Sequence, residues 1–216
     1  IASSYRHKNK KSAQDFFEKG LELAFKKMKE IQHIEYPLTV YYGFKQAESQ
    51  NMELASTGWE TMLNGLISAG FSVSGTWPIR SEQEYRMVGL GTNALASSIV
   101  LVCRPRPEDA PLATRREFLT ALREELPNAL RTLQQGNIAP VDLAQSAIGP
   151  GMAVFTRYAK VMESDGSAMT VRTALALINQ VLDEVLDEQE GEFDSDTRWA
   201  ISWFEQYGIN EGPYGD

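Results

Sequence analysis

The sequence has a single cysteine, Cys103, and only two histidines, His7 and His33, among its 216 residues. One cysteine cannot form a disulfide within the chain, and it excludes a zinc site of the four-cysteine type. The two histidines lie far apart, and neither has a cysteine or carboxylate at metal-ligand spacing, so we expect no metal site. Cys103 lies inside an apolar pattern, where a thiol usually packs in the core and does not react.

Long hydrophobic segments are also missing. The longest apolar runs, such as Ile99 to Cys103, are far shorter than the roughly 20 residues that span a bilayer. The basic N-terminal cluster leads into an amphipathic pattern, whereas a signal peptide continues with a purely apolar segment. Together with the lone cysteine, these absences predict a soluble, cytoplasmic protein that has no membrane partner.

The negative charge is confined to one segment of the chain. The formal net charge is −8, and residues 183–196 contain eight acids and no base. The remaining 21 acids match the 21 bases, so the rest of the chain is neutral. A neutral body neither predicts nor excludes a local nucleic-acid-binding groove. Such an acidic run is usually a solvated helix end and loop, and the stretch 183–196 is also a candidate docking surface for a basic partner protein.

Hydrophobic spacing predicts that the chain begins with a helix, a strand and a second helix. The first helix covers residues 13–32, with Ser12 as its N-cap. The strand covers Leu38–Phe44, where apolar residues do not alternate with polar ones, as in a strand buried on both faces. The second helix starts near Ser56 and ends at Gly70, which acts as a C-terminal cap.

Two further strands are predicted before the pattern changes. One starts at Phe71 and ends at Pro78, and the other covers Ile99 to Cys103. The connection between them contains no clear helical pattern. We therefore expect an antiparallel pair at one end of an otherwise parallel sheet.

The second half of the chain is predicted to be helical. A stripe over residues 118–133 predicts a helix that Pro127 kinks or splits. A short helix after Pro140 should be broken by the Gly149-Pro150-Gly151 segment. The most regular helix is expected over residues 171–185, and a last one follows a cap at Ser195 or Asp194. We thus predict an α/β portion over residues 1–110 and a mostly helical extension over residues 111–216.

Cations and aromatic rings occur together at two places, at the N-terminus and where the second strand ends. This mixture suits phosphate contacts combined with base stacking. A solvated terminal tail and a tryptophan covering the edge of the core are the structural alternatives. The candidate nucleic-acid-binding residues are Tyr5, Arg6, His7, Lys45, Trp77 and Arg80.

Several blocks of the sequence resemble one family, the large bacterial and archaeal adenine-specific DNA methylases described as containing a zinc ribbon. The resemblance lies in residues 39–45 (TVYYGFK), 59–63 (WETML), 69–71 (AGF), 76–82 (TWPIRSE) and 93–104 (NALASSIVLVCR). Later blocks that resemble the family's helical continuation lie at residues 149–152, 164–172 and 199–208.

This resemblance implies a class I, Rossmann-like methyltransferase that uses S-adenosylmethionine and acts on the exocyclic amine of adenine. In such enzymes a glycine-containing loop holds the cofactor, and an Asp-Pro-Pro-Tyr type loop binds the flipped base. Neither motif occurs in these 216 residues, and the cysteines of a zinc ribbon are also missing. The resemblance therefore implies the C-terminal part of a longer enzyme, inactive alone, which supplies the fifth to seventh strands with a reversed final pair.

The resemblance assigns no catalytic or cofactor-binding residue to this chain, but it implies DNA as the partner of the intact enzyme. The six candidate residues would then contact DNA, with the cations on phosphate and Trp77 at the base pocket. The strand Leu38–Phe44 would present an unpaired edge, which predicts a homo-oligomer. The alternative is a non-catalytic helical module for protein interaction or regulation, built on the helices after residue 112.

Overall fold

A computed structural model describes residues 6–42, 52–80, 97–136 and 140–191, together with residues 194, 196, 197, 200, 203, 204 and 208. The described chain has a mixed α/β fold. Its elements, in chain order, are α1 (Lys10–Ile31), β1 (Leu38–Tyr42), α2 (Met52–Ser68), β2 (Phe71–Arg80), β3 (Ser97–Pro105), β4 (Leu112–Thr114), α3 (Arg115–Gln135), α4 (Pro140–Thr156), β5 (Lys160–Met162) and α5 (Val171–Gly191).

The main sheet has three strands in the order β1-β3-β2. Both β1 and β2 pair with β3 in antiparallel fashion, so the predicted antiparallel pair of β2 and β3 is confirmed. Because both outer strands run opposite to β3, they run in the same direction as each other. They are connected by α2, and β3 is inserted between them.

Strand β1 is buried on one face only. Its residues alternate between half-buried and exposed, with Leu38, Val40 and Tyr42 packed on the core. Thr39 and Tyr41 point to the other face and are exposed. The prediction of a strand buried on both faces is therefore wrong, because none of the described helices packs against that second face. Among the described strands, β1 also pairs on one side only.

The ends of the first two helices follow ordinary capping rules. Helix α1 begins at Lys10, and Asn9 is its N-cap because its side-chain oxygen accepts a hydrogen bond from the Ser12 N–H at 2.8 Å. The predicted cap at Ser12 is thus wrong by three residues. After α2, Gly70 has a φ of +84°, a left-handed conformation that favours glycine, so the predicted C-terminal cap is confirmed.

Helix α4 packs against β2 and satisfies the backbone of its outer edge at Val73. The backbone N–H of Val73 donates a hydrogen bond of 2.8 Å to the buried Thr156 hydroxyl on α4. Nearby, the Thr76 hydroxyl donates to the Ser146 carbonyl at 3.0 Å. Covering an edge strand with a helix satisfies polar groups that would otherwise be available to another chain. The outer edge of β2 is therefore partly covered within the chain itself, at Val73.

The Gly149-Pro150-Gly151 segment lies inside α4 and does not break it. A Cβ at position 149 would overlap the Thr76 side chain, and one at position 151 would lie 2.5 Å from Ile178 on α5. The two glycines therefore allow α4 to lie close to β2 on one side and to α5 on the other. The predicted helix break is wrong because the glycines serve packing and not chain reversal.

Helix α3 also runs through a proline without splitting. Pro127 lies within it, while Leu122, Leu126 and Leu130 on the same helix are all buried. Because these leucines pack on both sides of the proline, burial holds the helix together at the cost of one backbone hydrogen bond. Of the two predicted outcomes at Pro127, the split is wrong, and the kink stays a prediction.

One hydrophobic core joins the α/β portion to the helices that follow it. Phe71 and Leu101 from the sheet belong to the same buried cluster as Phe118, Met152 and Ile178 from α3, α4 and α5. A second, parallel pair of strands, β4 and β5, links the start of α3 to the segment after α4. The boundary at residue 110 thus falls between β3 and β4, at a point where the two portions share their core.

The close approach of α4 predicts opposite effects for two glycine-to-alanine substitutions. Gly149→Ala should reduce the free energy of unfolding by about 1–3 kcal/mol, because the new methyl group overlaps Thr76 in a packed core. Gly20→Ala is the control: it lies within α1 with no atom near its added Cβ, and should stabilise by about 0.5–1 kcal/mol. Urea denaturation of both variants measures this difference. Equal stability of the two would contradict the packing described.

Candidate nucleic-acid interface

Trp77 lies on the face of the sheet opposite to α2 and α4. Paired residues of an antiparallel sheet share a face, so Trp77 lies beside Val100, and Val100 lies beside Tyr41 on β1. We call this surface the open sheet face; it is formed by Thr39, Tyr41, Gly75, Trp77, Val100, Val102 and Arg104. Helices α2 and α4 contact the other face, where Trp59 packs on Tyr42 and Gly149 lies against Thr76.

The side chains of the open sheet face differ greatly in exposure. Trp77 is 69% exposed and Tyr41 is 68% exposed, whereas Val100 between them is buried. The alternative reading of Trp77 as a plug in the core is therefore wrong. Tyr41 was missed by the sequence reasoning, although side chains alternate along a strand and one of the adjacent Tyr41 and Tyr42 must face away from the core.

Arg104 adds a positive charge at one end of this face. It is exposed, and its guanidinium donates a hydrogen bond of 3.2 Å to the backbone carbonyl of Glu35. This contact ties the arginine to the connection between α1 and β1. The described strand residues that form the open sheet face include no acidic side chain. An anionic ligand would therefore meet no carboxylate from these strand positions.

The N-terminal candidates lie at the start of α1. Arg6 is exposed, and the His7 ring packs on Phe16 with 4.9 Å between ring centroids. His7 and Trp77 thus belong to different elements, and no described ring contact joins them. Tyr5 and Lys45 lie outside the described residues. Arg80 is described only by its backbone, which ends β2 opposite Ser97.

A polar groove of about 350 Å³ lies between α1, α2 and the start of α5. Its walls include Glu18, Glu22 and Glu60, and Arg172 bridges to Glu60 at 2.9 Å. Within the described ranges, no group of three or more His, Cys, Asp or Glu side chains is placed to hold a metal ion. The described lining of this groove comes from helices alone and includes no loop that follows a strand, so these residues do not form the implied site for S-adenosylmethionine. The groove therefore supports no methyl-transfer step.

Cys103 lies fully buried in β3, as its sequence context predicts. Burial raises the pKa of its thiol to about 12, because a thiolate loses its hydration there. At neutral pH the residue is a protonated thiol with almost no nucleophilic form. Cys103 therefore serves core packing.

The acidic stretch is partly engaged within the chain. Glu184 on α5 forms an ion pair with Arg123 on α3 at 3.1 Å, and hydrogen bonds from Arg123 and Gln180 lower the pKa of Glu184. Asp194 accepts a hydrogen bond of 2.8 Å from the Thr197 N–H, so the predicted cap at Asp194 is confirmed. Other carboxylates, such as Asp187, stay exposed on α5.

Comparisons with protein-family models, with curated proteins and with solved structures find no match to this chain. In the part of the chain that is described, no helix combines the length and the apolar character needed to cross a membrane. The function proposed for the open sheet face therefore rests on the residues of this chain.

The buried thiol predicts a large difference in reactivity between the folded and unfolded chain. With a pKa near 12 instead of the ordinary value, the thiolate fraction of Cys103 at pH 8 falls roughly a thousandfold. We expect a thiol-specific disulfide reagent to modify the native protein at least roughly a hundredfold more slowly than the urea-unfolded protein. A native rate equal to that of the unfolded chain would show an accessible, reactive thiol instead.

Proposed function

We propose that this chain forms one end of the sheet, and the helical extension, of a class I DNA methyltransferase that transfers a methyl group from S-adenosylmethionine to the exocyclic amine of adenine. In this proposal, the cofactor loop and the base-binding loop belong to another part of the polypeptide. The chain alone is then inactive, and DNA is the partner of the intact, cytoplasmic enzyme.

The arrangement of the main sheet carries this proposal. The resemblance implies a reversed final pair of strands at the end of a parallel sheet. In agreement with it, β1 and β2 run in the same direction, are connected by α2, and enclose the reversed strand β3. A crossover helix between two strands of equal direction is the usual unit of α/β folds. The three strands of this sheet among the described residues are few for a complete domain of this class.

The distribution of open and closed surfaces supports the same proposal. The β2 edge is covered by α4 at Val73, whereas β1 has no second strand partner among the described strands. An additional parallel strand would extend the sheet at β1. In its absence an unpaired strand edge favours self-association, so we propose that the isolated chain forms a homo-oligomer through β1.

The alternative of a separate helical interaction module has one supporting observation. Asp183, Asp187 and Glu188 are exposed on α5 and form an acidic surface suited to a basic partner protein. The shared core speaks against an autonomous module, because Phe118 and Ile178 belong to the same buried cluster as Leu101 of the sheet. Docking of a partner at the acidic stretch 183–196 stays a prediction.

A methyl-transfer assay with labelled S-adenosylmethionine tests the proposal. We expect no cofactor binding and no transfer to DNA by this chain alone. A longer polypeptide that also contains the cofactor and Asp-Pro-Pro-Tyr loops should label the exocyclic amine of adenine. In that polypeptide, Arg6→Ala should weaken DNA binding and reduce the slope of log K against log salt by about 1, since one phosphate contact is lost.

Two results would overturn the proposal. Micromolar binding of S-adenosylmethionine by this chain alone would mean that a cofactor pocket exists within it. A longer polypeptide that binds the cofactor but labels no adenine in DNA would exclude the assigned reaction. Unchanged affinity and salt slope for Arg6→Ala would remove only that residue from the interface.

A further inference from the structure

Two exposed aromatic rings flank the central strand of the open sheet face. Tyr41 on β1 and Trp77 on β2 both pair with Val100 on β3, so the three residues form one row across the sheet. The backbones of Tyr41 and Trp77 are roughly 10 Å apart, because β1 and β2 are separated by two strand spacings. Both rings are about two-thirds exposed, so a ligand in solution can reach them.

Among the described residues, none occupies the space above Gly75, the neighbour of Trp77 on this face. Gly75 lies two residues before Trp77 and therefore on the same face, and a Cβ added there would meet no atom within 4 Å. Its φ is not among the positive values, so the strand does not require glycine for its conformation. A flat ligand can thus approach the side of the indole ring without displacing any described side chain. Arg104, on the same face, supplies the positive charge.

We propose that the open sheet face binds single-stranded DNA by stacking unpaired bases on Tyr41 and Trp77. A sheet surface with exposed aromatic rings and a nearby cation is a common platform for single strands, because each base offers a π-face and each link a phosphate. The inference rests on the proposed function for its choice of DNA as the partner. It adds Tyr41, and it assigns Trp77 to a platform for several bases instead of a pocket for one.

Several features favour an unpaired strand over a duplex. The bases of a duplex are stacked on each other and cannot lie on exposed rings unless they leave the helix. Among the described strand positions of this face, Arg104 is the one cation, and there is no acid. One cation is too few for tight binding through phosphate contacts alone. Binding should therefore depend strongly on the rings and only weakly on salt.

Fluorescence anisotropy of a labelled 15-nucleotide oligothymidylate, titrated with the full chain, tests this proposal. Tyr41→Ala and Trp77→Ala should each weaken binding by roughly tenfold or more, since one stacked base is lost. The conservative variants Tyr41→Phe and Trp77→Phe should retain most of the affinity. A duplex of equal length should bind more weakly, and an oligouridylate distinguishes a single-strand platform for DNA from one that prefers RNA.

Position 75 offers a matched pair of variants that leaves both rings in place. Gly75→Glu introduces a carboxylate beside Trp77, where the structure has free space, and should weaken binding by roughly tenfold or more through repulsion of the strand. Gly75→Gln has the same shape without the charge and should bind much more tightly than Gly75→Glu. Both variants should unfold at a urea concentration similar to that of the unchanged chain.

Clear results would overturn the inference. The inference is wrong if the full chain does not bind the oligothymidylate, or if removal of both rings leaves the affinity unchanged. It is also wrong if Gly75→Glu and Gly75→Gln bind with equal affinity, or if the duplex or the oligouridylate binds more tightly than the oligothymidylate. The methyl-transfer assay uses a different polypeptide and a different readout. Failure of the stacking platform is thus distinguishable from failure of the proposed function.

Discussion

The fold depends on the close approach of α4 to β2, which two glycines make possible. At Gly149 the helix backbone lies against Thr76, and at Gly151 it lies against Ile178, so one helix joins the sheet to α5. The contact also places the Thr156 hydroxyl where it accepts a hydrogen bond from the Val73 backbone. Without this contact, the sheet and the later helices would lose the core that they share.

The same contact makes the sheet asymmetric. Helix α4 covers the outer edge of β2 at Val73 and, with α2, covers one face, whereas the β1 edge and the opposite face have no described helix against them. Two of the proposed functional surfaces lie on this uncovered side: the strand edge that would extend the sheet or pair with a second copy, and the face that carries Tyr41 and Trp77. Cys103 lies on the covered face and takes no part in chemistry.

Much of the fold could be predicted from local patterns, and the errors arise where tertiary contacts decide. The antiparallel pair followed from the absence of a helical sequence pattern between the two predicted strands, and the Gly70 cap followed from its position after an apolar stripe. The helix through Gly149 and Pro150 could not be predicted, because its glycines are required by contacts with residues far away along the chain. Gly149 packs against Thr76, 73 positions earlier, and Gly151 packs against Ile178, 27 positions later. Of the candidate site, Trp77 was found from its neighbours in sequence, whereas Tyr41 required the register of β1 on β3.

Native-state hydrogen exchange tests the central claim, that α4 covers the β2 edge at Val73 whereas the β1 edge has no partner among the described strands. The Val73 amide should exchange only through global unfolding, because its hydrogen bond to Thr156 is buried. In dilute protein, the β1 amides that face away from β3 should exchange quickly, and they should become protected as the protein concentration rises. A rapidly exchanging Val73, or concentration-independent protection of those β1 amides, would contradict the account.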